Sequence, residues 1–196
     1  NQVGHFRFKD LNGDGKITAD DRSMIGNPHP DVTGGVNIGL GWKNWDLSTY
    51  LYYTIGNDLY AHYELYTNWG QLANVFTYER VENAWHPEKN PNGTLPMFVR
   101  GDTHAETNVS HTGYIQDGSY LRMQTLTLGY TLPKKWLNKI KMSRIRFYAQ
   151  LSNVFTLTGY EGLDPEVYQG SDRSRGIDYG SYGMPRQYLF GVNIEF

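Results

Sequence analysis

The chain has 196 residues, a formal net charge of -2 and no cysteine. The charge balance gives no reason to expect nucleic acid as a partner, and the absence of thiols excludes disulfides and thiolate metal sites. No stretch reaches the ~18 consecutive apolar residues of a membrane-spanning helix, in line with a mean hydropathy of -0.60. A membrane β-barrel is not excluded, because its alternating strands read as polar on average.

Gly (22 residues) and Tyr (16 residues) are both in excess. That excess points to β structure with tight turns and aromatic surfaces.

The first local motif in chain order is Asp10-Leu11-Asn12-Gly13-Asp14-Gly15-Lys16, followed by Asp21. It fits D-x-[DN]-x-[DN]-G, the opening of an EF-hand-type calcium loop. Hard Ca²⁺ takes six to eight oxygens. Asp10, Asn12 and Asp14 supply side-chain oxygens, Lys16 its carbonyl, and Asp21 occupies the twelfth position, where a shorter arm replaces the usual Glu. The competing expectation is an Asx-rich turn that binds nothing. In either case the loop's role is to brace its neighbourhood, and flanking helices are not evident.

Five segments then alternate with period two, the mark of a β-strand with unlike faces. Segment 34–42 sets Val36, Ile38, Leu40 and Trp42 against Asn37, Gly39 and Gly41. Segment 45–55 sets Leu47, Leu51, Tyr53 and Ile55 against Asp46, Ser48, Tyr50 and Tyr52. Segment 119–132 sets Leu126, Leu128, Tyr130 and Leu132 against Thr125, Thr127, Gly129 and Thr131. Segment 143–154 sets Ile145, Phe147, Ala149 and Leu151 against Arg144, Arg146, Tyr148, Gln150 and Ser152. Segment 186–196 sets Tyr188, Phe190, Val192, Ile194 and Phe196 against Gln187, Leu189, Gly191, Asn193 and Glu195.

These runs are longer than the ~5–6 residues of ordinary soluble strands and match the ~9–11 of a tilted bilayer-crossing strand. Their connections alternate. Lys43-Asn44 is short, 56–118 is long, the Lys-rich link PKKWLNKIKM is short and 155–185 is long. Short turns on one side and long loops on the other are the habit of outer-membrane barrels, and a 63-residue connection is unusual in a soluble domain. Trp42, Trp45 and Trp136 then fall at the short-turn side, where an aromatic girdle belongs. Five strands cannot close a barrel, and an open sheet in lipid leaves unpaired edges. The expectation is therefore a piece of a larger barrel.

Residues 118–160 hold seven bases and no acid. With no recognition motif beside them, they read as a solvated turn plus lumen-facing arginines. The six histidines (His5, His29, His62, His86, His104 and His111) show no metal spacing and read as loop surface residues. Catalytic signatures are missing: no GxSxG, Walker loop or HExxH occurs. Glu79/Glu82 and Glu161/Asp164 imitate hydrolase pairs but read as solvated carboxylates. No enzyme is expected. The loops are rich in aromatics: Tyr60, Tyr63, Tyr66, Trp69, Phe76, Tyr78, Trp85, Tyr160, Tyr168, Tyr179 and Tyr182. Such rings stack on sugars, fill a protein interface or pack the loops together.

Several stretches carry a family resemblance. FKDLNGDGKITADDRSMIGNPHPDVTGG at 8–35, followed by WKNWDLSTYLYYTIGNDLY, resembles the C-terminal barrel of SusC/RagA-type TonB-dependent transporters. So do WHPEKNPNGTLP at 85–96, DGSYLRMQTLTLGYTLPKKW at 117–136, RFYAQLSNVFTLTGYEGLDPEV at 146–167 and DYGSYGMPRQYLFGVNIEF at 178–196.

The resemblance implies an all-β fold, an antiparallel transmembrane β-barrel segment. It would be about five strands of a barrel of about 22, with long extracellular loops. Residues 1–196 would be the C-terminal portion of the barrel, with the plug and N-terminal domains outside this chain. The implied function is active import of a large nutrient, an oligosaccharide or in some members a peptide, across the outer membrane of a Gram-negative bacterium. The implied partners are a SusD-like surface lipoprotein over the loops, the TonB complex, the rest of the barrel and plug, and outer-membrane lipid. Arg144, Arg146, Tyr148 and Gln150 would line the wall around the plug. The residues alone leave an alternative: a soluble calcium-braced carbohydrate-binding β module.

Overall fold

A computed structural model describes residues 3–68, 76–98, 110–167 and 171–196. Five long strands form one antiparallel sheet: β1 (Val32–Trp42), β2 (Trp45–Ile55), β5 (Tyr120–Thr131), β6 (Arg144–Thr158) and β7 (Gln187–Glu195). Their spatial order is β1-β2-β5-β6-β7, so each long strand lies beside the next one in sequence. The short strands β3 (Asp58–Tyr60) and β4 (Ile115–Asp117) pair with each other inside the first long connection.

The register sorts the side chains as the alternation requires. Leu40 faces Leu47, Leu47 faces Leu128, and Leu128 faces Ala149, which faces Phe190. One row lower, Gly41 faces Asp46, Asp46 faces Gly129, and Gly129 faces Tyr148, which faces Gly191. One face is therefore an apolar band and the other a polar one. Among the described residues the apolar band is uncovered apart from Ile145 near its short-turn end. Val36, Ile38, Leu40, Leu128, Phe147, Phe190, Val192 and Ile194 are all exposed. Leaving so many Val, Leu, Ile and Phe side chains in water forgoes ~1.5–3 kcal/mol each, so this face is built for an apolar surrounding.

A strict period of two would put Arg122 on the same face as Leu126. The structure places it on the opposite face. Met123 pairs with Leu51 and Phe155, whereas Thr125 pairs with Tyr50 and Ser152, so Gln124 is an inserted residue. Facing it, Asn153 of β6 takes a φ of 54°, a left-handed conformation that asparagine tolerates better than most residues. This bulge moves Leu121 and Met123 to the apolar face and Tyr120 and Arg122 to the polar one.

At one end of the sheet the connections are tight. Lys43 adopts a positive φ, and Asn44 is tied to Thr131 by two hydrogen bonds. The link between β5 and β6 is more than a turn: Lys134–Ile140 forms a helix, α3. Pro133 sits at its N-cap, Lys141 takes the left-handed conformation at its C-cap, and Leu137 is buried. Trp42, Trp45, Tyr130 and Trp136 lie at this end, with the Trp45 and Tyr130 rings 4.6 Å apart.

The opposite end carries everything else. Two short helices, α1 (Glu64–Thr67) and α2 (Tyr78–Glu82), join β3 and β4 in a cap with a core of its own. Leu59, Ala61, Leu65, Tyr114 and Tyr160 are buried there. The cap draws on three separate parts of the chain. Tyr60 forms a parallel bridge with Ile177, and Asp58 exchanges two hydrogen bonds with Asn27. Among the described residues no second sheet stacks on the long one, so the soluble two-layer alternative finds no support.

Candidate functional site: the polar face and the loop cap

The polar face carries the ionic chemistry. Arg146 of β6 donates two hydrogen bonds to Asp46 of β2, at 3.0 and 2.5 Å. The pair spans the intervening strand over Gly129, where an added Cβ would collide with both partners. Glycine is needed there so that two strands can be clamped across a third. Arg144 pairs with Glu195 at 3.3 Å on exposed side chains, a contact of small energetic weight. Tyr148 lies against Gly191 of β7. Of the expected lumen-facing set, Arg146 and Tyr148 are thus committed to neighbouring strands. Arg122 binds Asp164 at 2.5 Å and Glu166 at 2.7 Å, and donates to Thr156 at 2.9 Å. In the sequence Arg122 stands only as one of seven bases, because its partners lie 34 to 44 positions away.

In the cap, Asp178 is almost fully buried and fully partnered. It accepts from the Tyr160 hydroxyl at 2.7 Å and from the backbone N–H groups of Gly180 and Ser181. Burial, then this carboxylate, pushes the Tyr160 phenol far above its ordinary range. Glu64 is buried and accepts from Gln116 at 2.6 Å, while Gln116 accepts from the Glu161 N–H. Burial raises the Glu64 carboxyl, with Glu161 and Glu79 adding repulsion. The Tyr63 phenol beside it is pushed up to about 12, first by burial and then by Glu64. Burial lowers the Arg80 guanidinium to about 10. A polar cleft of about 390 Å³ is lined by Glu64, Glu79, Arg80, Gln116 and Glu161.

The carboxylates that imitated a hydrolase are held otherwise. Asp164 is occupied by Arg122, the Glu166 N–H and the Met184 N–H. Glu79 and Glu82 lie on α2 and are exposed. One histidine departs from the surface expectation. His111 is buried, stacks on Tyr114 at 4.3 Å and lies 4.5 Å from Phe6. Its Nδ1 accepts the Gly113 N–H, and burial lowers its pKa. An apolar aromatic nest drew it in, which no spacing rule reveals. His104, Trp69 and Tyr168 lie outside the described residues. Many of the other loop aromatics pack on one another: Tyr60 on Tyr114 at 5.4 Å, His62 on Tyr179 at 4.5 Å, and Phe76 on Phe98 at 4.7 Å. Tyr78 and Tyr182 stay exposed.

The Asp10–Asp21 loop closes on itself. Asp10 accepts from the N–H groups of Gly13 and Gly15, Asn12 from Asp14, and Asp14 from Lys16. Asp21 accepts from Leu11, Asn12 and Thr18, and these backbone donors hold its carboxyl below the usual range. Among the described residues, no three His, Cys, Asp or Glu side chains stand together at metal-holding distances.

A meander of long antiparallel strands with one bare apolar face, one ion-paired polar face and loops massed at one end defines a segment of a membrane β-barrel wall. Comparison with known proteins gives that class a family. The chain is 36% identical over 195 residues to TonB-dependent receptor P3 of Formosa agariphila, covering 96% of the chain and 19% of the receptor. It is 30% identical over 191 residues to TonB-dependent receptor SusC of Bacteroides thetaiotaomicron, covering 96% of the chain and 17% of that protein. Among solved structures, the RagAB peptide importer in its open-open state superposes with a TM-score of 0.72 at 25% identity over 92% of the chain. Its closed-closed state gives 0.76 at 24% identity over 95% of the chain, a likeness of fold alone. These matches cover 19% and 20% of the importer chains. No protein-family profile matches. The chain is thus similar, along nearly its whole length, to about a fifth of a SusC/RagA-type TonB-dependent transporter. These relatives are receptors and importers by name, and none is an enzyme.

Proposed function

We propose that this chain is the C-terminal part of the barrel wall, with its outer loops, of an importer in the outer membrane of a Gram-negative bacterium. The importer takes up a large nutrient, an oligosaccharide or a peptide, with energy delivered by a TonB complex. A SusD-like lipoprotein covers the loop end. TonB would engage a part of the protein outside this chain, and the polar face with Arg144, Arg146, Tyr148 and Gln150 would line the wall around the plug. The observation that carries the reading is the uncovered apolar band on five antiparallel strands of 9–15 residues. The similarity to SusC supports the family of function, and the similarity to a peptide importer supports a peptide as readily as a glycan. The work of such a wall is to bind and to gate, with no covalent chemistry. Deleting the full-length gene should abolish growth on one polymeric nutrient without affecting growth on its monomers, and disrupting TonB should give the same defect. Growth that is unchanged on every glycan and peptide source would contradict the proposal.

We also propose that the loop from Asp10 to Asp21 takes Ca²⁺. A carboxylate keeps several lone-pair sites, so Asp10, Asp14 and Asp21 retain acceptor capacity beside their backbone donors, and Asn12 and the Lys16 carbonyl add oxygens. The donor chemistry therefore suits a hard cation. Terbium luminescence titrated into the purified full-length protein should show one site that Asp10→Asn and Asp21→Asn together abolish. An unchanged titration in that variant would assign the loop to self-bracing alone.

A further inference from the structure

The two faces of the sheet differ most at the loop end. On the apolar side Ile55 is 52% exposed and Leu157 60%. At the same height on the polar side Thr54 is 7% exposed, Tyr120 8% and Arg122 2%. Something covers only the polar side, and the hydrogen bonds name it. Asp164 and Glu166, from the connection after β6, reach back to Arg122 of β5. The other oxygen of Asp164 accepts the Met184 N–H at 2.9 Å, so one carboxylate ties the outgoing and returning arms of that connection together. Asn153 of β6 donates to the Pro185 carbonyl at 3.0 Å and fixes the returning arm to the wall.

We infer that the arms 159–167 and 176–186 form a strap folded inward across the mouth of the barrel. Arg122 is the positioning residue that latches it through Asp164 and Glu166. This rests on reading the polar face as the lumen side. The latch is well suited to hold. Arg122 presents a fixed fork of N–H donors, and its Nε and two Nη atoms meet Thr156, Glu166 and Asp164 separately. It is also specific, because removing Arg122 leaves Asp164 buried without its counter-ion, and removing the carboxylates does the same to the buried Arg122. Arg122→Gln leaves Asp164 and Glu166 facing each other without a cation, and Asp164→Asn with Glu166→Gln strands the arginine. Both changes should free the strap and open the wall beneath it to the outside, while the strands continue to pair.

The test uses the full-length protein in outer-membrane vesicles. In full-length protein freed of any other reactive cysteine, Thr54→Cys places a thiol at a buried position beside Tyr120, the ring that neighbours Arg122 and Glu166. A membrane-impermeant maleimide should label it slowly in the otherwise unaltered protein. Labelling should be at least ten-fold faster with Arg122→Gln, or with Asp164→Asn and Glu166→Gln together, and intermediate with Arg122→Lys. Heat-modifiable migration in gels checks that the barrel has formed; its absence in the unaltered protein would instead sink the barrel reading. Equal labelling rates in heat-modifiable variants would overturn the strap. A second measurement needs no variant. The Glu166 and Met184 amides, both bonded to Asp164, should exchange with deuterium as slowly as amides of β6, and exchange at the free-peptide rate would overturn it equally.

Discussion

The wall and the cap are made from the same chain by opposite means. The five long strands bury few side chains against one another. Their hydrogen bonds run between neighbours, one face is bare, and both edge strands, β1 and β7, have a free side in the sheet order. The cap instead encloses Leu59, Ala61, Tyr114 and Asp178 from segments far apart in sequence. A wall of this kind depends on its surroundings, which in the proposed reading are lipid on one face and the remainder of a barrel at the edges. A cap of this kind depends on its own contacts. That difference teaches where each is vulnerable, and it can be attacked from either side.

The largest effect is expected in the cap. Tyr114→Ala removes a fully buried ring that stacks on His111 and meets Tyr60. By analogy with other buried aromatics it should cost the cap ~3–5 kcal/mol. Hydrogen exchange should accelerate in 58–66 and 176–181 while β1 and β2 stay protected; a uniform loss would merge the two regions into one cooperative unit. Next comes the wall. Leu126→Arg puts a charge in the middle of the apolar band, which in a bilayer should cost ~2–4 kcal/mol. Denaturant unfolding of the reconstituted full-length barrel should register it, and an unaffected midpoint would argue that this face does not meet lipid. Third, Asp178→Ala leaves the Tyr160 hydroxyl and two backbone N–H groups without their acceptor. That should loosen the cap by about 1–3 kcal/mol.

The smallest effect is on pH. The folded pKa of His111 lies below its ordinary 6.5, so the unfolded cap binds more protons just below that value. Its contribution is complete above 6.5 and fades as the pH falls toward the folded value. Glu64 has the opposite sign. Its folded pKa is raised above 4.5, so the cap loses stability as the pH rises from 4.5 through the folded value. The two slopes oppose each other: His111 makes exchange of cap amides slow down as the pH rises to 6.5, and Glu64 makes it speed up as the pH rises from 4.5. His111→Phe should remove the acid-side loss, and Glu64→Gln should flatten the rise on the other side. Exchange rates in the cap that ignore pH after correction for intrinsic chemistry would contradict both assignments.

Much of the wall could be read in the chain. Alternation located all five strands, and Lys43-Asn44 marked the first tight turn. What failed there was local. The Gln124 bulge shifts the phase by one residue, and a period-two pattern has no way to announce an inserted residue. The helix Lys134–Ile140 hid in a short link whose lysines looked like solvated turn. The cap was nearly opaque. Tyr60 bridges Ile177, and Arg122 finds Asp164, only because three connections converge at one end. Such contacts depend on strand order and register, not on any residue's neighbours in sequence. The loop tyrosines read equally well as sugar platforms or as packing and the histidines as surface, and burial alone set Tyr114 and His111 apart from Tyr182.

The central claim is that the band containing Ile38, Leu51, Leu126 and Leu128 touches lipid. The most direct test places a fluorophore at each position from 125 to 128 of the full-length protein in a bilayer with bromine on the acyl chains. Quenching should be strong at 126 and 128 and weak at 125 and 127. Quenching that is absent at 126 and 128, or equal at all four positions, would contradict it.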